Sequence, residues 1–414
     1  MIVSISRLVR SGLCIMALVL LAACGGDSAD VIINNPNPDD GPDPTPNGFD
    51  ASSLITDISD DVIVGTYQGM ADATGDLLDA VTVLADGNLT RANLEEAQNA
   101  WYEARKYWES SEGFLWGPID TEGYDPKLDD WPVNKVDLDN ILADANVDLG
   151  NQGVIDQLET TVKGFHTIEY LLFNDGTGNE DTSGCGAAAP GTQACYDNIL
   201  AALADPRRIE YLVGISINID TVANQTLDAW LESGGDFLGG VVSAGKGSAI
   251  YTSQRALLEE IVQGAIGIAD EVAAGKLGDP FAAGDPLTVE SKFSGNSLTD
   301  FQYNIRSVRN LYCGRQSVGT ESAVNACSTS GNGGLAELVA ETDSELHAAM
   351  LQAIDKAVSA IADIPGPYEQ AVEAAKTDPA LAQTIQDAID AVLELMVLMQ
   401  GELLPLLDEV DFAF

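Results

Sequence analysis

The chain contains two histidines, and one of them, His166, lies three residues before a glutamate. Apolar residues around this pair recur at steps of three and four, and Glu169 falls on the same stripe, as do Leu158, Val162, Phe165 and Leu172. A buried carboxylate is costly unless a cation, a donor network or a metal ion meets it. Residues three apart share one face of a helix, so His166 lies beside Glu169. The pair therefore predicts a buried polar site, either a metal centre or a structural network.

A second predicted helix carries two further charged residues beside its buried stripe. Arg105 and Glu112 are seven residues apart and flank an apolar stripe formed by Leu94, Trp101, Trp108 and Leu115. Under one interpretation, they belong to an ion-pair network at the edge of a helical bundle. Under the other, Glu112 is an oxygen ligand for a metal, and Arg105 holds its carboxylate in place.

The histidine content limits the zinc chemistry that this sequence can perform. Helix-based zinc peptidases use His-Glu-x-x-His or the inverted His-x-x-Glu-His, and Tyr170 stands where the inverted motif has its second histidine. The other imidazole, His347, is expected in a surface or helix-packing position. Carboxylate oxygens with one imidazole suit iron better than a thiolate-seeking metal, although zinc stays open as an alternative.

The charge of the chain excludes some partners and favours others. The sequence has 65 acidic and 19 basic side chains, for a net charge of -46. Nucleic acid is excluded as a general partner because no basic surface exists to displace its counterions. Cations and cationic ligands are the natural partners of such a field. A halophilic or marine host would produce the same acidity without any specific ligand.

The first two dozen residues predict export and lipid attachment. Basic residues precede an apolar run that ends in Leu21-Ala22-Ala23-Cys24, which looks like a bacterial lipobox after a signal peptide of residues 1–23. Acylation of Cys24 would supply the membrane attachment that the acidic body cannot. Residues 24–50 are rich in Pro, Asn, Asp and Gly and predict a flexible tether. The expected location is the bacterial cell envelope, with the outer membrane favoured and its side left open.

Four cysteines remain in the body of the chain. Cys185 and Cys195 bracket one loop rich in small residues, and Cys313 and Cys327 bracket another. Each pair is expected to close its own loop as a disulfide, because an exported chain folds in an oxidising compartment.

Beyond residue 51 the apolar pattern has a helical period almost throughout, and this predicts an all-α fold. Eight long helices suggest two four-helix bundles packed together, with domains 51–205 and 206–414 divided at Asp205-Pro206. The predicted helices cover residues 51–73, 90–116, 151–173, 206–232, 246–277, 297–313, 333–364 and 368–409.

Three blocks of sequence, in order, resemble the imelysin-like family. Gly164 to Glu169 matches its Gly-x-His-x-x-Glu motif. The stretch Trp101 to Pro118 looks like its first helix and the Phe-x-x-Gly-Pro ending, and residues 290–312 look like a later block that begins Glu290-Ser291-Lys292-Phe293-Ser294. The similarity spans roughly residues 51–412, nearly the whole body after the tether.

The resemblance implies two four-helix bundles with a site at or near their interface. Members of the family are typically exported and often iron-regulated, and they are related to a metal-binding domain of periplasmic iron-uptake components. The name of the family comes from a peptidase activity. We therefore expect an envelope lipoprotein that binds iron, as the ion or in a small complex such as haem or a chelate, for uptake alongside envelope iron-transport proteins.

The resemblance and the residue pattern together suggest roles for particular side chains. His166 and Glu169 are the expected centre, Glu112 and Glu290 are further metal ligands, and Arg105 and Ser294 orient or bind the ligand. One alternative is an imelysin-type metallopeptidase in which Glu169 and His166 are catalytic. A second is a non-catalytic structural or partner-binding lipoprotein, in which the same residues only pair with one another.

Overall fold

The computed structural model describes residues 48–176, 191–231, 233–328 and 333–414. These residues are helical, with turns and loops between the helices, and the β-pairing among them is an isolated bridge between Phe49 and Phe412. The all-α prediction is confirmed. Cys24 and the predicted signal peptide and tether up to residue 47 lie outside the described residues. Among the described residues, we find no helix with both the length and the apolar content needed to cross a membrane.

Eight of the helices form two groups of four. The first group consists of α1 (Gly65–Ala85), α2 (Arg91–Glu109), α3 (Gly164–Phe173) and α4 (Pro206–Trp230). In this group α1 packs against α2 and α4, and α3 packs against α2 and α4. The second group consists of α5 (Gln254–Asp270), α6 (Ser297–Cys313), α7 (Ser344–Ala362) and α8 (Pro379–Leu398). Here α5 and α7 each pack against both α6 and α8.

Other helices and turns connect or extend these eight. Those before α4 are Ser52–Thr56, Asp57–Val64, Glu112–Phe114, Pro118–Thr121, Asp125–Asp129, Lys135–Ala143, Gln152–Ile155, Thr160–Val162 and Gln193–Leu203. Those after α4 are Phe237–Val242, Glu271–Gly278, Asp279–Ala283, Pro286–Thr288, Ala323–Cys327, Leu335–Thr342, Tyr368–Ala375, Met399–Leu403 and Leu404–Glu409. The described residues from 48 to 414 cluster as one compact unit. The domain boundary near Asp205-Pro206 stays a prediction, and the helix that begins at Pro206 lies against the first group.

The two groups meet along α2 and the short turn that follows it. Helix α6 contacts α2, and both α5 and α6 contact the Glu112–Phe114 turn. Gly113 permits this approach, because a β-carbon there would lie 2.6 Å from the Ser307 hydroxyl oxygen. A β-carbon on Gly264 of α5 would lie 2.4 Å from the Gly113 carbonyl oxygen. The charged residues at the end of α2 are thereby enclosed between the groups.

Several predicted helix boundaries were wrong. The helix predicted over 151–173 is broken, and α3 starts only at Gly164, which has a φ of +76° and would place a β-carbon 2.4 Å from the Leu128 carbonyl oxygen. The predicted 333–364 helix divides at Asp343, whose side chain caps a new helix start. The predicted 368–409 helix divides in the same way at Asp378, where Pro379 follows as the first helical residue.

Other helix predictions fared better. The helix predicted over 297–313 matches α6 at both ends. The first predicted helix continues past residue 73 to Ala85, and the second ends at Glu109 before the Glu112–Phe114 turn. The disulfide between Cys313 and Cys327 is confirmed, and it joins the end of α6 to the short helix Ala323–Cys327. Cys185 lies outside the described residues, so its pairing with Cys195 stays a prediction.

Candidate metal centre

Nine charged or ionisable side chains meet between the two helical groups, and we call them the acidic centre. Each side chain is less than a tenth exposed to solvent. Six are carboxylates and three are basic. They are Arg105, Glu109, Glu112, Asp129, His166, Glu169, Lys276, Glu290 and Asp300.

Arg105 lies in the middle of the carboxylates. Its guanidinium forms short ion pairs with Glu109 and Asp129, and its Nη2 lies 3.0 Å from Oε1 of Glu290. Its Nε atom lies 3.7 Å from Oδ2 of Asp300. Helix α2 places Arg105 and Glu109 on one face, four residues apart, directed at α6. Arg105 therefore organises the centre.

Lys276 neutralises the other side of the acidic centre. Its Nζ atom lies 2.9 Å from Glu112 Oε2, 3.3 Å from Glu290 Oε1 and 3.6 Å from Glu109 Oε2. The prediction that Arg105 holds Glu112 in place is not supported, because the cation that contacts Glu112 is Lys276. The chain turns after Glu109, and Glu112 lies in the following 3-10 turn, so the two residues do not share one helix face.

The two residues of the sequence motif lie side by side at the start of α3. His166 Nδ1 is 3.2 Å from Glu169 Oε2, and His166 Nε2 is 3.2 Å from Asp129 Oδ1 and 3.7 Å from Glu290 Oε1. The other oxygen of Glu169 accepts three hydrogen bonds, from the backbone N–H of Phe293, the backbone N–H of Ser294 and the Ser294 hydroxyl. His166 therefore bridges Glu169 to the rest of the acidic centre.

Neutral donors hold several of the carboxylates in place. Asn304 Nδ2 donates to Glu109 Oε2 at 2.6 Å, and the Trp108 indole N–H donates to Asp129 at 2.6 Å. The hydroxyl of Ser291 donates to Asp300, also at 2.6 Å. In contrast, the buried Oε2 atom of Glu290 has no hydrogen-bond partner within the described part of the chain.

Carboxylates outnumber basic groups in the acidic centre, and several of its pKa values are raised. Burial raises the pKa of Glu109 to about 7, despite the nearby charges of Arg105 and Lys276. Burial also raises the pKa values of Glu112 and Asp300 well above their ordinary values. Burial would lower the pKa of His166, but the charge of Asp129 raises it well above the ordinary value. Without an added cation, the centre therefore compensates by holding protons.

Each of two sets of ligand atoms is compact enough to hold one metal ion. Asp129, His166 and Glu290 form the first set, and within it all the ligand atoms lie within 4.8 Å of one another. Glu109, Glu112 and Asp129 form the second set under the same limit. The residues fit a hard cation, because the donors are carboxylate oxygens and one imidazole, and because Glu290 Oε2 is buried without a hydrogen-bond partner among the described residues.

The structure brings all the predicted site residues together: His166, Glu169, Glu112, Glu290, Arg105 and Ser294. The sequence reasoning did not assign Glu109, Asp129, Lys276 or Asp300 to the site. Glu109 and Asp300 lie inside the two blocks that resemble the family, which is a signal that could have identified them. Asp129 and Lys276 carry no such signal, because they lie outside these blocks on two short helices that only the tertiary fold brings to the centre.

The fold and the centre define an all-α protein with a buried, carboxylate-rich cluster between two helical groups. The family model described as Imelysin matches residues 63–399, and the chain therefore belongs to the imelysin family. A protein named iron-regulated protein A, from Synechococcus elongatus, is 29% identical over 351 residues, which is 84% of this chain and 86% of the relative.

Two solved structures share the fold. The crystal structure of an iron-regulated protein A precursor from Parabacteroides distasonis is similar with a TM-score of 0.68 and 24% identity, over 86% of this chain and 96% of that one. The crystal structure of an imelysin-like protein from Psychrobacter arcticum is similar with a TM-score of 0.59 and 12% identity, over 86% of this chain and 95% of that one.

Proposed function

We propose that this protein binds iron in the acidic centre, as the ion or in a small complex, and that it serves iron uptake at the cell envelope. The observation that carries the proposal is the excess of carboxylates over basic groups within the acidic centre, six against three. A buried charge needs a partner, and a metal cation would replace the protons that otherwise balance the additional carboxylates. The relative from Synechococcus elongatus is named iron-regulated protein A, which agrees with iron as the bound metal.

The donor set favours iron over zinc. Oxygen ligands with a single imidazole suit iron, whereas structural zinc sites are usually tetrahedral and rich in thiolate or imidazole. His166 and Asp129 would hold the metal together with Glu290, and Glu109 and Glu112 offer a second set of oxygens that shares Asp129. Arg105 and Lys276 would keep those carboxylates in position, while Ser294 holds Glu169.

The burial of the acidic centre supports binding more than proteolysis. A peptidase must place an extended substrate chain against its metal and its general base. Here His166 is 1% exposed and Glu169 is fully buried, so a polypeptide would have to displace the loop at Phe293 and Ser294 to reach them. An imelysin-type peptidase would cleave an unfolded protein in a chelator-sensitive way, and Glu169→Gln would abolish that cleavage.

We also propose that Cys24 anchors the protein to the outer membrane, on the side facing the periplasm or the exterior, near envelope iron-transport proteins. The lipobox-like tetrad that ends at Cys24 supports this, and the acidic body requires an anchor independent of charge. Expression of Cys24→Ser in a bacterial host tests the anchor. The parent chain should incorporate a labelled fatty acid and the variant should not, and equal labelling of the two would contradict the proposal.

Metal content measures the proposed binding directly. The chain from Gly25 onward should retain iron after exposure to Fe(II) without oxygen or to ferric citrate in air, followed by desalting and elemental analysis. We expect a fixed ratio of iron to protein and competition by chelators. A protein that retains no iron under either condition would contradict the proposed function.

A further inference from the structure

A pocket of about 380 Å³ opens beside the loop that holds Glu169. Ser294 forms part of its wall, and the same residue donates two hydrogen bonds to Glu169. The Tyr102 hydroxyl, also in the wall, donates to the Ser294 carbonyl oxygen at 3.1 Å. The pocket is therefore a neighbour of the acidic centre, separated from it by Phe293 and Ser294.

The walls of this pocket combine aromatic rings with a carboxylate. Four rings line it, those of Tyr102, Phe173, Tyr196 and Phe293, and the rings of Tyr102 and Phe173 are 5.3 Å apart. Glu95 supplies the carboxylate, and among the described lining residues none is basic. Ring faces carry negative electrostatic potential, so rings and a carboxylate together favour a positively charged ligand with apolar surface.

The protein itself places a cation at the rim of this pocket. The Arg91 guanidinium lies 4.2 Å from the centroid of the Tyr196 ring, and Arg91 Nε donates to Glu95 Oε1 at 3.0 Å. The side chains of Arg91 and Glu95 are 42% and 39% exposed, so this ion pair is weak and a ligand can displace it at little cost. The ring of Tyr196 and the carboxylate of Glu95 thus already act together on a planar cation.

The surroundings of the pocket attract cations. A neighbouring groove between α1 and α2 shares the residue Asn99 with the pocket, and its walls carry four carboxylates. They belong to Asp76, Asp79, Glu96 and Glu103. Together with a net charge of -46, they raise the concentration of cations along α2, next to the pocket mouth.

We propose that this pocket binds a small organic cation, such as a quaternary ammonium or a guanidinium compound. The aromatic rings contact its apolar surface, and Glu95 pairs with its charge. The ligand lies against the loop at Ser294, one residue layer away from Glu169.

Two probes of equal shape and different charge test this proposal on the metal-free protein. Choline carries a quaternary nitrogen, and 3,3-dimethyl-1-butanol has a neutral carbon in its place. We expect choline to bind with one-to-one stoichiometry in calorimetry and the neutral alcohol to bind at least about tenfold more weakly. Equal binding of the two, or no choline binding, would overturn the proposal. Because no metal is present, either result leaves the proposed iron site to be judged by its own experiment.

Three variants locate the bound choline. Asn99→Trp should abolish binding, because Asn99 is exposed at the pocket mouth and an indole fills the space. Glu95→Gln should weaken binding several-fold. Glu345→Gln makes the same charge change at an exposed position of α7, outside both the pocket and the neighbouring groove, and should leave binding unchanged. Binding that survives Asn99→Trp, or that falls equally in both glutamine variants, would show a non-specific charge effect and overturn the proposal.

Discussion

Ser294 donates both its backbone N–H and its hydroxyl to one oxygen of Glu169, each at 2.8 Å, across 125 positions of sequence. The Phe293 N–H donates to the same oxygen at 3.1 Å. Glu169 belongs to the first helical group, and the loop before α6 brings these donors to it. A segment from the other half of the chain therefore sets the position of Glu169. The second carboxylate oxygen of Glu169 is left to contact His166.

Removal of the Ser294 hydroxyl should weaken iron binding. Ser294→Ala deletes one of the three donors and leaves both backbone N–H groups, so the fold should persist while Glu169 becomes less well oriented. Partners that orient metal ligands typically contribute 10- to 100-fold in affinity, and we expect a loss of about tenfold in an iron titration. Ser233→Ala removes an exposed hydroxyl and is the matched control. An unchanged dissociation constant in Ser294→Ala would show that this contact does not support the site.

Lys276 should stabilise the metal-free protein strongly. Lys276→Gln leaves Glu112 and Glu290 without their shared cation, and breaking a buried ion pair costs about 3 to 5 kcal/mol. Urea denaturation of the metal-free variant should show a decrease in the free energy of unfolding within that range. Lys356→Gln breaks an ion pair with Glu394 in which both side chains are more than half exposed, so its cost should stay below about 1 kcal/mol. Equal effects in the two variants would contradict the buried role of Lys276.

Glu369 should make the stability of the protein depend on pH. Glu369 is 2% exposed, and its Oε2 atom is buried without a hydrogen-bond partner among the described residues. Burial, together with the charge of Glu169, raises the pKa of Glu369 to about 8. The ordinary value is 4.5, so between these pH values the folded state holds a proton that the unfolded chain has released. Stability therefore falls as pH rises through this window, by up to about 1.4 kcal/mol per pH unit from this group.

The amide variant Glu369→Gln isolates that contribution. Its side chain stays neutral at every pH, so the difference in unfolding free energy between variant and parent should grow from pH 5 to pH 8. Glu373→Gln, on the same helix with an exposed side chain, should show no such trend. A parallel pH profile for Glu369→Gln and the parent protein would refute the raised pKa.

The sequence predicted the fold class and the core of the site, and its failures have physical causes. Period and composition identify helices, so α6 was predicted at both ends. Caps such as Asp343 and Asp378 act through a single side chain and do not interrupt the apolar period, so two helices were predicted as one. His166 and Glu169 stand out because a charged residue occupies a core stripe.

The residues that the sequence did not reveal are those that only tertiary contacts bring in. Asp129 ends a five-residue helix, and Lys276 lies in the π-helical extension of α5, where nothing local distinguishes them from solvated charges. Arg105 was predicted to hold Glu112 on the assumption that the helix continues to residue 116. Because α2 ends at Glu109, Arg105 instead contacts Glu109, Asp129 and Glu290.

Iron content of the His166→Ala variant tests the central proposal most directly. The sequence has one other histidine, His347, whose ring stacks on Tyr312 and belongs to no part of the acidic centre, so His347→Ala is the matched control. Both variants should keep the helical circular dichroism of the parent chain. We predict that His166→Ala loses stoichiometric iron, while His347→Ala retains it. Unchanged iron loading in a folded His166→Ala protein would contradict a His166-centred metal site.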